Sequence, residues 1–185
     1  MYQGNVAMNG LELVQIKCIE AVFYFRYTYN VMVKYMSMDE SESNHLFSTF
    51  RVDEFIVSDI QIAESKFKAD IFHGRESNHR ITNVSITKTE VSSSLAKIRG
   101  GYLSVEGFQT ASSTYRKNFL DLQSANASIY NVKIYESSTK GGVIFSMEAD
   151  FLDIENFNIS KSTIVKNAIE TDRKYRALTS KRQLF

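Results

Sequence analysis

The chain has a single cysteine, Cys18, among 185 residues. No disulfide can form within it, and a lone thiol does not decide the redox compartment. Proline and tryptophan are absent altogether, a bias of composition that points to no particular class. No uninterrupted stretch approaches the roughly 20 apolar residues that a membrane-spanning helix needs. The densest apolar run, Ala21-Val-Phe-Tyr-Phe25, ends at Arg26. Met1-Tyr-Gln-Gly4 lacks the basic start and apolar core of a signal peptide. Net charge is only +1, which favours neither an acidic nor a basic partner. No linker separates two compositions. At 43% hydrophobic residues the chain can fill the core of one ordinary domain.

What is present is a repeat. Val57-Ser-Asp-Ile60-Gln-Ile62 recurs as Ile81-Thr-Asn-Val84-Ser-Ile86, Val105-Glu-Gly-Phe108-Gln-Thr110, Ile129-Tyr-Asn-Val132-Lys-Ile134 and Ile154-Glu-Asn-Phe157-Asn-Ile159. The leading positions are 24, 24, 24 and 25 residues apart, and only Thr110 breaks the apolar columns. A fixed period of this size marks a solenoid, whose units bury their faces against their neighbours. The third position of each block is Asp59, Asn83, Gly107, Asn131 or Asn156. These residue types reach a left-handed backbone at least cost, so a bend is expected there. Beyond the bend, Gln61, Ser85, Gln109, Lys133 and Asn158 form a polar column between two apolar ones, the alternation of a strand with one buried face. Ser65, Thr89, Ser113, Ser137 and Ser162 close the blocks.

The second half of each unit carries Ile71-Phe72, Leu95-Ala-Lys-Ile98, Phe119-Leu-Asp-Leu122, Val143-Ile-Phe145 or Ala168-Ile169, also strand-like. The expected fold is therefore all-β, a parallel β-helix with about 24 residues per coil. Gly141-Gly142-Val-Ile-Phe145 followed by Leu152-Asp-Ile-Glu-Asn156-Phe-Asn-Ile159 resembles the repeats of right-handed, single-stranded, pectin-lyase-like β-helix proteins. Protist surface proteins and polymorphic outer-membrane protein repeats are of this kind. The resemblance spans roughly residues 33–169. It implies an extracellular or cell-surface setting. The rival is a leucine-rich repeat, which shares the period. That family wants leucine at its anchors, and none of the fifteen anchors here is leucine.

Val33-Lys-Tyr-Met36-Ser-Met38 falls one period before Val57, with Tyr35 at the bend. Residues 1–30 read as an irregular N-terminal coil or cap, with Leu13, Ile16 and Cys18 some 20 residues before Val33. Residues 31–170 read as the repeats and 171–185 as a basic tail or cap, with basic residues at 173, 174, 176, 181 and 182.

Candidate functional residues are few. His73, Lys97 and Asp121 are each 24 apart and fall on one outer face. They form a polar ladder able to bind an acidic sugar, or simply solvated charges contributing a few tenths of a kcal/mol. Pectinase-like enzymes would add clustered carboxylates, and none is clustered in sequence. His45 and His79 both follow Ser-Asn and read as surface histidines without metal-ligand spacing. Neither catalytic residues, a metal site nor a cofactor is expected. Asn83-Val-Ser85, Asn126-Ala-Ser128 and Asn158-Ile-Ser160 match the N-glycosylation pattern. Asn126 and Asn158 are the open candidates, since Asn83 is committed to its bend. The expected function is a non-enzymatic scaffold or spacer segment of a larger surface or secreted protein. Its partners would be further coils or copies of itself through the solenoid ends, with carbohydrate next and nucleic acid not expected. A polysaccharide lyase or hydrolase and a leucine-rich binding module are the alternatives.

Overall fold

The computed structural model describes residues 4–123, 125–147, 151–166 and 169–171. Every strand pair in it is parallel and joins residues 24 or 25 positions apart. Val57, Ile81, Val105, Ile129 and Ile154 stand directly over one another. The chain is an all-β parallel solenoid of about six turns, and no helix occurs among the described residues. The helical half of a leucine-rich repeat therefore has no counterpart in them.

Strands run through the corners rather than stopping there. His45–Ala63 is one strand bent twice, because Arg51 and Asp59 both take positive φ. Each coil thus has a wall before the expected bend, a second wall after it, a short strand such as Lys66–Phe67, and a returning wall such as Phe72–Arg75. The short strands form their own six-stranded sheet, from Glu42–Ser43 to Thr163–Ile164. The other thirteen strands form one continuous sheet.

The bend column is left-handed throughout. Asp59, Asn83, Gly107, Asn131 and Asn156 have φ of 59°, 51°, 65°, 55° and 52°. Tyr35 joins them at 52° although its side chain gives no preference for that region. The unexpected corner is the next one, where Gln15, Glu40, Glu64, Lys88, Ser112, Glu136 and Lys161 are all left-handed. A non-glycine residue there costs about 1–2 kcal/mol, and the following hydroxyl column offsets part of it. Ser41, Ser65, Thr89, Ser113, Ser137 and Ser162 each donate to the carbonyl two residues back, at 2.7–2.9 Å. The same oxygens of Ser41, Ser65, Ser113, Ser137 and Ser162 accept the N–H of the preceding coil, at 3.0–3.2 Å. Ser77 repeats the device at another corner, accepting from Val52 and donating to Arg75. The hydroxyls satisfy backbone groups that turn away from the ladder inside a dry corner.

The core lies in the tube. Phe23, Phe47 and Phe72 stack ring on ring, with centroids 5.4 and 5.6 Å apart. Phe108 and Tyr115 each meet the ring of Phe119 edge-on. Thr110, the break in the apolar columns, is buried and pairs with the Tyr115 hydroxyl at 2.9 Å. Burial pushes the Tyr115 phenol up, since its ionised form has no counter-charge there.

Residues 5–30 follow the same register. Met8, Leu11 and Leu13 lie under Val33, Met36 and Met38, an offset of 25 rather than the 20 expected for this stretch. Met8-Asn-Gly10-Leu11-Glu-Leu13 is itself a block of the repeat, with Gly10 at the bend at φ 67°. Residues 172–185, expected as a basic tail or cap, lie outside the described residues.

Candidate functional site

On the returning wall, side chains alternate in and out along each strand. Phe47, Phe72, Ala96 and Leu120 point into the tube, and the next residues, Ser48, His73, Lys97 and Asp121, form an outward column. A second outward column, two residues on, is Arg26, Phe50, Arg75, Arg99 and Gln123. The structure therefore brings His73, Lys97 and Asp121 into direct register.

The ladder is not solvated along its length. Asp121 is only 7% exposed. It accepts from Gln123 Nε2 at 3.2 Å and stands 3.6 Å from Lys97 Nζ, itself largely covered. Opposite charges this sheltered are coupled more strongly than surface pairs, and each depends on the other's presence. His73 does not continue the run of charge toward Lys97. Its Nδ1 turns to Asp70 Oδ2 at 3.2 Å, a partner three residues back.

Asp70 is the residue that the sequence reading missed. It is 4% exposed, in the corner before the wall, and it anchors several groups. Its Oδ1 accepts the Ser94 N–H at 3.1 Å. Its backbone carbonyl accepts from His45 Nδ1 at 2.8 Å. Burial alone would raise this carboxyl, but hydrogen bonds from His73, Ser93 and Ser94 hold it below the usual carboxylate range. Burial lowers the His45 imidazole below its ordinary value despite the contact with the Asp70 carbonyl. The His45 and His73 rings lie with centroids 4.9 Å apart, tilted by 47°. One ligand atom from each of His45, Asp70 and His73 falls within 4.8 Å of the others. The expectation that no carboxylate stands at ligand distance from His45 is thereby corrected. Coil spacing was the available signal, because 25 residues separate His45 from Asp70.

His79 is corrected as well, for it is an interior residue at 2% exposure and not a surface one. It occupies the apolar column between Phe55 and Leu103. Its Nδ1–H donates to Ser77 O at 3.1 Å, and Nε2 accepts from Thr49 Oγ1 at 2.8 Å. Its ring fills the space over Gly74, where an added Cβ would lie 2.2 Å from it. Burial depresses its pKa to about 4, against the opposing pull of the Ser77 carbonyl.

The outer column beside the ladder is basic and aromatic. Arg26, Arg51 and Arg75 approach the Phe50 ring within 5.2–5.6 Å, and Arg26 also lies 4.8 Å from the Tyr27 ring centre. Among the described residues their carboxylate partner is Glu76, 2.6 Å from Arg51 and 3.6 Å from Arg75. Around the tube, the second wall carries a groove of about 570 Å³ lined by Gln109, Lys133, Tyr135 and Asn158.

The glycosylation candidates differ. Asn158 is exposed in the outward polar column over Lys133. Asn126 begins the strand Asn126–Tyr135 rather than lying in a loop, and its Oδ1 accepts the Phe151 N–H at 2.9 Å. Asn83 donates to Asp59 Oδ1 across the bend.

No protein-family model, curated protein or solved structure matches this chain.

Proposed function

We propose that the chain is a non-enzymatic, rigid scaffold and spacer segment of a larger surface or secreted protein. Its finer kinship would be with right-handed, pectin-lyase-like surface solenoids, a reading that rests on the Gly141-Gly142 start and the Asn bends. The observation that carries the scaffold role is the coil-to-coil register kept by the described residues from Asn5 to Thr171. It is reinforced at the corners by the hydroxyl column and by ion pairs such as Lys88–Glu64 and Lys161–Glu136. The polar groups of the wall serve the stack itself. Asp121 is neutralised by Lys97, and both oxygens of Asp70 are held by Ser94 and His73. A carboxylate so engaged is poorly placed to act as a general base.

Partnership with further coils or copies has a physical basis at the first coil. The strand Asn5–Val14 is paired on one side only among the described residues. Val6, Met8, Leu11 and Leu13 lie half-buried against the core there. A free edge over apolar side chains is a template for another strand.

The second reading is recognition of an acidic polysaccharide, favoured by the arginines gathered around Phe50 and Tyr27. Binding of the purified chain to polygalacturonate, weakened by Arg26→Ala or Arg75→Ala, separates these two readings, and incubation with and without calcium tests for turnover. The scaffold account expects no release of unsaturated or reducing ends. Turnover abolished by Lys97→Ala or Asp121→Ala would make the wall an active site.

A further inference from the structure

We propose that His45 and His73 bind a divalent first-row transition metal such as zinc, with Asp70 holding both imidazoles in the ligating orientation. The two rings come from adjacent coils, so the ion would clip one coil to the next. Both Nδ1 positions face oxygens of a single residue: His45 Nδ1 the Asp70 carbonyl, and His73 Nδ1 the Asp70 carboxylate. An oxygen acceptor there requires the proton on Nδ1, which leaves the Nε2 lone pair of each ring free for a metal. An imidazole whose other nitrogen donates to a carbonyl or carboxylate is the usual outer arrangement of a histidine metal site. Asp70 supplies both kinds of acceptor to two rings at once. It is rigid enough to do so, being 4% exposed and fixed from the far side by the Ser94 N–H.

The spacing fits. Zinc–nitrogen bonds are about 2.0–2.1 Å, so two nitrogen ligands stand at most about 4.2 Å apart. The ring centroids are 4.9 Å apart. Two imidazoles beside one carboxylate favour zinc, nickel or copper over calcium or magnesium, which take oxygen donors. Lys97, in register with His73 on the next coil, is drawn toward Asp121 on the coil after it. Water completes the shell on the solvent side.

The test is calorimetric titration of the chelator-treated chain with zinc chloride, paired with NMR of histidine-selectively nitrogen-labelled protein. We expect one ion per chain, a micromolar Kd and a rise in Tm with zinc. His45→Ala and His73→Ala should each weaken binding more than tenfold while keeping the β circular dichroism spectrum. Asp70→Asn should weaken it roughly 10–100-fold. In the unmodified protein, the Nε2 resonances of His45 and His73 should shift on saturation while those of buried His79 stay in place, so the test survives a variant that misfolds. No binding at 100 μM zinc, or zinc binding that leaves those two resonances unmoved, would overturn the proposal. Unchanged affinity in Asp70→Asn would overturn the orienting role.

Discussion

A histidine inside an apolar tube makes stability depend on pH in one direction. His79 has a pKa of about 4 in the folded chain against an ordinary 6.5. The unfolded chain therefore takes up a proton between those values while the folded chain does not, and protons favour unfolding there. The associated stability, roughly 3 kcal/mol, is fully present above pH 6.5 and is lost as the pH falls to 4. Half-buried His45 shifts in the same direction and adds to the slope. Urea unfolding at pH 7.5, 5.5 and 4.5 should show the loss, and His79→Gln should flatten most of it. A wild-type stability unchanged across that range would contradict the buried neutral imidazole. The side-chain direction in the columns is testable as sharply. Val132 is fully buried and Lys133 exposed. Val132→Asp should cost several kcal/mol by chemical denaturation and Lys133→Asp almost nothing, whereas similar costs would mean a shifted register.

At the scale of strands and corners, the sequence was legible where residue type and conformation coincide. Asp59, Asn83, Gly107, Asn131 and Asn156 announce their bend because each type tolerates positive φ. The next corner was hidden because Glu64, Lys88 and Glu136 have no such preference; their conformation is imposed by the parallel ladders on either side. The hydroxyl column was visible as a pattern, but its role needed the carbonyls and N–H groups around it. His79 and Asp70 were misplaced or missed because Ser-Asn-His and Lys-Ala-Asp look like loop sequence. Counting 24 on from His79 would have reached Leu103 and shown it to be interior. Likewise Met8, Leu11 and Leu13 keep the block pattern, but with methionine and leucine where most later blocks have β-branched residues. Two substitutions probe the corners. Ser113→Ala removes the acceptor of the buried Thr89 N–H and the donor to Ala111 O, and should cost about 1–3 kcal/mol. Gly101 sits at φ 81° with Ser77 O 2.3 Å from where a Cβ would lie. Gly101→Ala should therefore cost at least about 2 kcal/mol. A melting temperature unmoved in either variant would count against the corner geometry.

The whole molecule is a stack of coils tied to one another by matched polar groups. Coil after coil, polar groups are matched to the coil above, from the Asn156–Asn131 amide pair to the Arg116–Glu90 ion pair. The strand Asn5–Val14 instead is paired on one side only among the described residues, over Val6, Met8, Leu11 and Leu13. A scaffold that extends by adding coils should join there, to a partner or to a copy of itself. Sedimentation velocity across a hundredfold range of concentration, on the chain and on the double variant Met8→Lys/Leu11→Lys, tests this most directly. The account predicts concentration-dependent self-association of the unmodified chain, suppressed when lysines are placed on that edge. A monomer at every concentration, indistinguishable from the double variant, would contradict it.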